Sequence, residues 1–175
     1  MSKSSALRDA VCCLLAAFSL AAAWMRVPGR AAALTTEARD FSSAEQQLLA
    51  AGKLVVRPTE LQRGDSRLMG GLAWQVVRAS PNRVWRIIND VRTYSSFLPA
   101  LEEARFVEYA GSEQRLLFRH RMGFVSASYF VLTAADALTA RMRFRLDHSR
   151  PSSIRDAFGE LRVTPYPGGA SVVSL

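Results

Sequence analysis

Hydrophobic residues follow two different spacings along this chain, and the change falls near residue 100. Before it, Ser80-Pro81 is a typical helix start and is followed by an apolar stripe with helical spacing at Val84, Ile87, Ile88 and Val91. Beyond it, apolar and polar residues alternate, which indicates β-strands. The alternation predicts six strands, at 102–109, 114–122, 124–134, 139–148, 154–163 and 170–175. Because only short connections separate them, an antiparallel meander is expected.

Further helices and strands are predicted on either side of that helix. Ser42 and Glu45 have the spacing of a capping box, which predicts a short helix at 43–51. A short strand at 53–57, a polar connection at 58–65 and a longer strand at 67–78 follow. Gly70-Gly71, inside the longer strand, indicates a bulge or a close approach of the backbone. A second helical piece is expected at 93–98, before Pro99.

Two of the predicted strands have strongly two-sided sequences. On one side they carry apolar residues and both histidines of the chain: Leu116, Phe118, His120, Met122, Met142, Phe144, Leu146 and His148. On the other side they carry six arginines: Arg115, Arg119, Arg121, Arg141, Arg143 and Arg145. Because neighbouring residues of a strand point to opposite sides, the sheet is predicted to have one apolar face and one basic face.

The first 33 residues have the layout of an export signal. Lys3 and Arg8 precede an apolar run at 10–24, and Ala31-Ala32-Ala33 offers small residues for cleavage. The run is shorter than the roughly 18 residues of a membrane-spanning helix, so a cleaved signal peptide at 1–33 and an exported, periplasmic or extracellular protein are predicted. The alternative is an inner-membrane anchor through residues 10–24, which Arg26 and Arg30 would favour.

Composition narrows the classes of function. The 175 residues, 49% of them hydrophobic and 22% charged, are typical of one globular domain. The formal charge is +8, and loss of residues 1–33 removes four basic residues and one acid, which leaves +5. Both cysteines, Cys12 and Cys13, lie in the leader, so cysteine metal ligands and disulfides are excluded downstream. No phosphate-binding or dinucleotide-binding glycine motif occurs, and we expect neither a cofactor nor a metal.

Several motifs resemble one known superfamily. They are Ser80-Pro81 through Trp85, Asn89-Asp90, and Phe97-Leu98-Pro99, followed by the predicted antiparallel strands. This order resembles the START-like, polyketide cyclase/dehydrase and lipid-transport superfamily, the helix-grip fold. The turn from Leu146 to Pro151 and Gly159 resemble those of exported bacterial members. The resemblance extends over about residues 43–175.

The resemblance implies an α+β fold, in which a curved antiparallel sheet follows two small helices and wraps around a long C-terminal helix. It also implies an apolar cavity for a lipid, sterol, quinone or polyketide. The chain ends at Leu175 inside the last predicted strand, so the long helix is expected to be missing. The expected organisation is a leader at 1–33, a short helix and connecting segment at 34–66, and a START-like domain at 67–175 that is incomplete at its C terminus.

Three functions from different classes remain open. The first is binding or transport of a hydrophobic small molecule, with candidate cavity residues Tyr94, Phe97, Phe118, His120, Met122, Phe130, Met142, Phe144, Leu146 and His148. The same residues could equally form an ordinary core. The second is an enzyme of the cyclase or aromatase type with His120 or His148 as a general acid or base, although a histidine satisfied by the backbone explains both positions as well.

The third function is docking of the six arginines on an anionic membrane. No acid occurs in residues 124–134 between the two arginine rows, so these side chains are expected to lack partners there. A solvated basic face is the simpler explanation of the same pattern. No nucleic-acid-binding motif is present, and nucleic acid is not expected as a partner.

Overall fold

A computed structural model of the chain describes residues 41–63, 66–98 and 100–175. The predicted leader and the alternative anchor at 10–24 lie outside these residues, so export stays a prediction. Within the described ranges, no helix is long and apolar enough to cross a membrane.

The described residues form one antiparallel sheet of eight strands with three short helices and a single 3-10 turn at Pro167–Gly169. The helices are α1 (Ser43–Ala50), α2 (Pro81–Ile88) and a 3-10 helix (Val91–Ser96). The strands are β1 (Val55–Arg63), β2 (Ser66–Val77), β3 (Leu101–Ala110), β4 (Glu113–Met122), β5 (Val125–Asp136), β6 (Arg141–Leu146), β7 (Phe158–Tyr166) and β8 (Ala170–Ser174). In space the order is β1-β2-β8-β7-β6-β5-β4-β3. The predicted α+β helix-grip architecture and the antiparallel meander are thereby confirmed.

Both α-helices begin as the sequence predicts. The hydroxyl of Ser42 accepts from the backbone N of Glu45, and the Glu45 carboxylate accepts from the backbone N of Ser42, which completes the capping box of α1. Pro81 occupies the first turn of α2, although the side chain of Ser80 makes no capping hydrogen bond. The fixed backbone angle of proline thus favours the start of α2 without a side-chain cap.

The predicted connection at 58–65 is wrong for residues 58–63, which continue β1. Each residue of β1 pairs with β2, from Val55 opposite Trp74 to Arg63 opposite Ser66. An edge strand tolerates proline and polar residues, because one side of it needs no ladder partner, and so the polar sequence concealed this strand. Gly71 provides the predicted close approach, since a Cβ atom there would lie 2.8 Å from the carbonyl oxygen of Arg57.

The last predicted strands also differ in their bounds. β6 ends at Leu146 and β7 begins only at Phe158, so residues 147–157 form a loop. The loop is held against β5, where the backbone N of Ser153 donates to the carbonyl oxygen of Ser128 at 3.0 Å. Residues 154–157 therefore belong to a loop that lies along the sheet. Its residues alternate like those of a strand, so the sequence pattern alone does not distinguish the two.

The two faces of the sheet differ as predicted. The side of the sheet on which α2 and the 3-10 helix pack is called the helix face. Around Val84 and Ile88 of α2 it contributes the core side chains Ala73, Val77, Met142, Leu161, Val163 and Val173. We call arginine face the opposite side, which carries Arg115, Arg119, Arg121, Arg141, Arg143 and Arg145. Helix α1 packs on the arginine face through Leu49, which contacts Val55, Trp74 and Val76 at one end of the sheet.

A buried ion pair on the arginine face fixes the loop after β6. Nε of Arg115 lies 2.6 Å from Oδ2 of Asp147, and their side chains are only 13% and 4% exposed. Arg115 also pairs with Glu108. Burial by itself raises the pKa of Asp147, but hydrogen bonds from Ser149 and Arg115 outweigh that effect and hold this pKa below its usual value of 3.8.

Replacement of Asp147 is expected to destabilise the fold in a pH-dependent way. Asp147→Asn should lower the free energy of unfolding by about 3 kcal/mol at pH 7, because it leaves the guanidinium of Arg115 with one carboxylate instead of two in a largely buried site. A carboxylate with a lowered pKa stabilises the fold above its usual pKa of 3.8, and that contribution is lost as the pH falls through the folded value. Urea unfolding at neutral and acidic pH measures both effects.

Glu103→Gln is the matched control, because it breaks the pair of Glu103 with Arg119, whose side chains are 33% and 56% exposed. Exposed pairs contribute less than about 1 kcal/mol, so this variant should stay close to the wild type at each pH. Equal losses for the two variants, or a loss for Asp147→Asn that stays constant at acidic pH, would contradict the assigned role of Asp147.

Candidate functional site

An open cleft of about 890 Å³ crosses the arginine face. This volume lies within the range of about 300–1,000 Å³ that is usual for small-molecule sites. Residues of five neighbouring strands form its floor: Leu72 and Trp74 on β2, Ser174 on β8, Glu160 and Arg162 on β7, Arg143 and Arg145 on β6, and Ala134 on β5. At its two ends lie the β1–β2 hairpin, with Thr59, Leu68 and Gly70, and the β3–β4 turn at 110–113.

The apolar part of the wall consists of side chains of the arginine face: Leu68 and Leu72 on β2, Phe158 on β7, and Trp74, which is only 8% exposed. Phe144 and Leu175 also border the cleft, but strand alternation and core contacts place their side chains on the helix face. One glycine determines the position of the Phe144 ring. A Cβ atom on Gly159 would lie 2.5 Å from Cζ of Phe144, its neighbour across the β6–β7 ladder. The ring of Phe144 therefore packs against the backbone of Gly159, and any larger residue at 159 would displace it.

The charged part of the wall consists mainly of ion pairs. Arg145 bonds to Glu113 at 2.5 Å, and Arg162 bonds to Glu160 at 3.1 Å. Arg141, beside the cleft, also reaches Glu160, at 3.2 Å. Arg143 lies opposite Glu160 in the ladder, yet it is exposed and makes no ion pair with any described residue.

The arginine face as a whole is far less basic than its sequence suggests. Five of its six arginines make ion pairs, because acids of other strands and loops lie beside them; Arg119 pairs with Glu103 and Arg121 with Glu102. None of these carboxylates belongs to residues 124–134, so the arginines lack partners on that strand, as expected. Their partners lie on β3, at the start of β4, on β7 and in the loop after β6, which alternation within the two arginine strands does not reveal. Membrane docking stays a prediction.

The predicted cavity residues occupy several different surroundings, and Phe144 is the one of them that borders this cleft, with its side chain on the helix face. Tyr94, Phe97 and Phe118 belong to a cluster beneath the 3-10 helix, and Met142 and Leu146 are also buried. Phe130 lies on the arginine face, opposite Leu117, and the guanidinium of Arg150 stands 5.9 Å from its ring centroid. The side chain of Met122 is outside the described part.

The two histidines lie apart from the cleft lining. Nε2 of His120 lies 2.9 Å from the hydroxyl oxygen of Tyr129, and the two rings are stacked with centroids 5.6 Å apart. Burial raises the pKa of Tyr129 to about 12, so this phenol stays protonated at neutral pH. His148 is exposed, and its Nε2 lies 3.2 Å from the carboxylate of Asp156, a residue that does line the cleft.

Most of the apolar wall was not identified from the sequence. Leu68, Leu72 and Trp74 lie within the strand predicted at 67–78, and Phe158 lies within the strand predicted at 154–163. Alternation predicts such strands but does not indicate which face of a sheet stays open. Residues 41–63, 66–98 and 100–175 contain no cluster of three or more side chains that could hold a metal ion.

Solved structures of similar fold come from several bacterial proteins. The STAR-related lipid transfer protein of Xanthomonas axonopodis (fragment 25–204) aligns with a TM-score of 0.54 and 14% identity, over 70% of this chain and 73% of that one. The Zhui aromatase/cyclase of Streptomyces sp. R1128 aligns with a TM-score of 0.52 and 16% identity, over 69% of this chain and 66% of that one. The protein TTHA0849 of Thermus thermophilus aligns with a TM-score of 0.52 and 20% identity, over 59% of this chain and 68% of that one.

These likenesses show the fold, and the chain spans slightly less than two thirds of the Zhui aromatase/cyclase. No curated protein matches the chain in sequence. The family model described as polyketide cyclase/dehydrase and lipid transport matches residues 73–175, from the middle of β2 to the last residue. Because this match covers more than half of the 175 residues, the chain belongs to the polyketide cyclase/dehydrase and lipid transport family.

Proposed function

We propose that this chain binds a hydrophobic small molecule in the cleft of the arginine face and acts as a carrier. The observation that supports the proposal is the cleft itself, about 890 Å³ in volume, with a wall of large apolar side chains. Family membership points to hydrophobic ligand binding or to cyclase-like chemistry, and the geometry of the cleft favours the first of these.

Binding would be driven by apolar burial. Contact with the apolar wall removes ligand surface from water, which contributes about 25 cal/mol per Å² before the costs of association. The half-buried ring of Phe158 offers rigid aromatic surface, and few rotatable bonds have to be fixed when such a side chain binds a ligand. The half-buried side chains of Leu68 and Leu72 add aliphatic surface on β2.

The carrier proposal is favoured over an enzyme by the positions of the titratable groups. A general acid or base has to come within hydrogen-bond distance of the proton that it transfers, or reach it through one water. Neither His120 nor His148 is among the residues that line the cleft, and His120 is engaged by Tyr129. The cleft carboxylates Glu113, Glu160 and Asp156 are each bonded to an arginine or a histidine.

Filling the cleft at Gly70 is expected to weaken binding without harming the fold. A Cβ atom on Gly70 would meet no atom within 4 Å, and its φ lies outside the left-handed region, so Gly70→Leu extends into open space. Loss of roughly 50 Å² of ligand contact corresponds to about a tenfold rise in Kd. Titration with the uncharged fluorophore N-phenylnaphthylamine measures this Kd.

Gly70→Ala is the matched control and should bind like the wild type, because a methyl group occupies little of the cleft. Urea unfolding of both variants verifies that the fold is kept. Wild-type protein that fails to bind the probe, or Gly70→Leu protein that binds it as tightly as the wild type, would contradict the proposed site.

Replacement of each histidine distinguishes a carrier from a cyclase. His120→Gln and His148→Gln should keep the Kd of the probe within about twofold, since neither ring lines the cleft and surface changes of this kind shift energies by less than about 0.5 kcal/mol. A cyclase with a histidine as proton shuttle would lose turnover of a polyketide substrate in one of these variants. Such turnover in the wild type, with its loss in a histidine variant, would overturn the carrier proposal.

A further inference from the structure

We propose that the ligand carries an acidic head group, a carboxylate or a phosphate monoester, and that Arg143 binds this group with Arg162 beside it. This inference rests on the proposed function, because it names the chemical class of the molecule that the same cleft takes. It follows from the balance of charge on the floor of the cleft, from one arginine without an ion pair, and from the position of the apolar wall.

The first observation is an excess of positive charge around Glu160. Arg162 and Arg141 both form ion pairs with this one carboxylate, and Arg143 lies directly opposite Glu160 in the β6–β7 ladder. Two guanidinium groups thus share a single carboxylate, and a third arginine on the neighbouring strand has no ion pair with any described residue. The nearby carboxylate of Glu113 is bonded to Arg145, and that of Asp156 to His148, so neither compensates the excess.

The second observation is the state of the hydrogen-bond donors. Arg143 is the one member of the arginine face that has no ion pair with a described residue, and it is exposed to the cleft. The side chain of Arg162 is 30% exposed beside Glu160, so its outer end borders the cleft, whereas its buried Nε is out of reach of a ligand. A guanidinium has five N–H donors in a planar arrangement, which suits the two oxygens of a carboxylate or phosphate.

The third observation is the distance between the cations and the apolar wall. Arg143 and Arg162 are diagonal neighbours across the ladder, about 7–8 Å apart at the backbone, so one small anion can lie between their side chains. Phe158 is half-buried and lies on the same side of β7 as Glu160 and Arg162, two and four residues away, which is about 7 and 13 Å along the strand. A ligand with an acidic head and an apolar body matches this arrangement.

The test compares ligands of one chain length that differ in their head group. Dodecanoate, dodecyl phosphate and methyl dodecanoate are titrated into the full chain by calorimetry at low ionic strength. Wild-type protein should bind at least one of the two anions about tenfold more tightly than the ester, the lower end of what a charge-assisted hydrogen bond contributes. Whichever anion binds more tightly identifies the head group.

Arg143→Gln should remove the preference for the anion and leave the Kd of the ester unchanged. Arg119→Gln is the matched control, because it removes an arginine from the same face outside the cleft and should keep the preference. Glu160→Gln should strengthen binding of the anion, since it removes the carboxylate that competes for Arg162.

The possible failures are distinguishable. If the ester and the anions bind equally well to the wild type, the head-group inference is overturned while the carrier function stands. A preference that persists in Arg143→Gln protein likewise overturns the role of Arg143. If none of the three ligands binds, and the uncharged fluorophore does not bind either, the proposed function itself is wrong.

Discussion

The packing of α2 and the 3-10 helix against one face of the sheet is the constraint on which the rest of the structure depends. Val84 and Ile88 of α2 are almost fully buried against β2, β6, β7 and β8, and Tyr94 of the 3-10 helix donates to the carbonyl oxygen of Ile88 at 2.6 Å. Where these short helices pack, the large side chains of the helix face form a core. The cleft of about 890 Å³ borders the opposite face, among side chains with charged ends.

Ion pairs make that opposite face compatible with a stable sheet. Rows of like charges on neighbouring strands repel each other, and here carboxylates from other parts of the chain separate them. Arg115 and Asp147 also attach the loop after β6 to β4 near its first residue, so the ion pairs determine the path of the chain as well as its charge. Arg143 differs from the other five arginines of this face because it makes no ion pair with a described residue. This difference is visible only in the structure, where the partner of each of the other arginines can be identified.

The spacing of hydrophobic residues predicted most helices and strands and the two different faces of the sheet. It did not predict which face would be covered by helices and which would border an open cleft. The capping box at Ser42 and the stripe from Val84 to Val91 are local signals, because each depends on residues within two turns of a helix. The ion pairs of Arg115, Arg121 and Arg145 depend on chain segments far away in sequence, and alternation contains no information on them. The cleft was missed for the same reason, since its wall combines Leu68, Trp74 and Phe158 from separate strands.

The hairpin of β1 and β2 is the part of the sheet where local opening is expected to be easiest. Among the residues that the structure describes, β8 pairs with β2 from Trp74 to Val77, and Leu175 bonds to Ala73, whereas β1 pairs with β2 as far as Ser66. In this structure residues 66–72 of β2 therefore form a ribbon of two strands with β1. Two-stranded ribbons are only marginally stable by themselves, and local opening costs least where neighbours are few. Gly70 and Leu68 of the cleft wall lie in this ribbon, while the opposite wall belongs to the continuous sheet. The cleft thus lies between the continuous sheet and this two-stranded ribbon. A displacement of the ribbon changes the width of the cleft without disturbing the core between the sheet and α2.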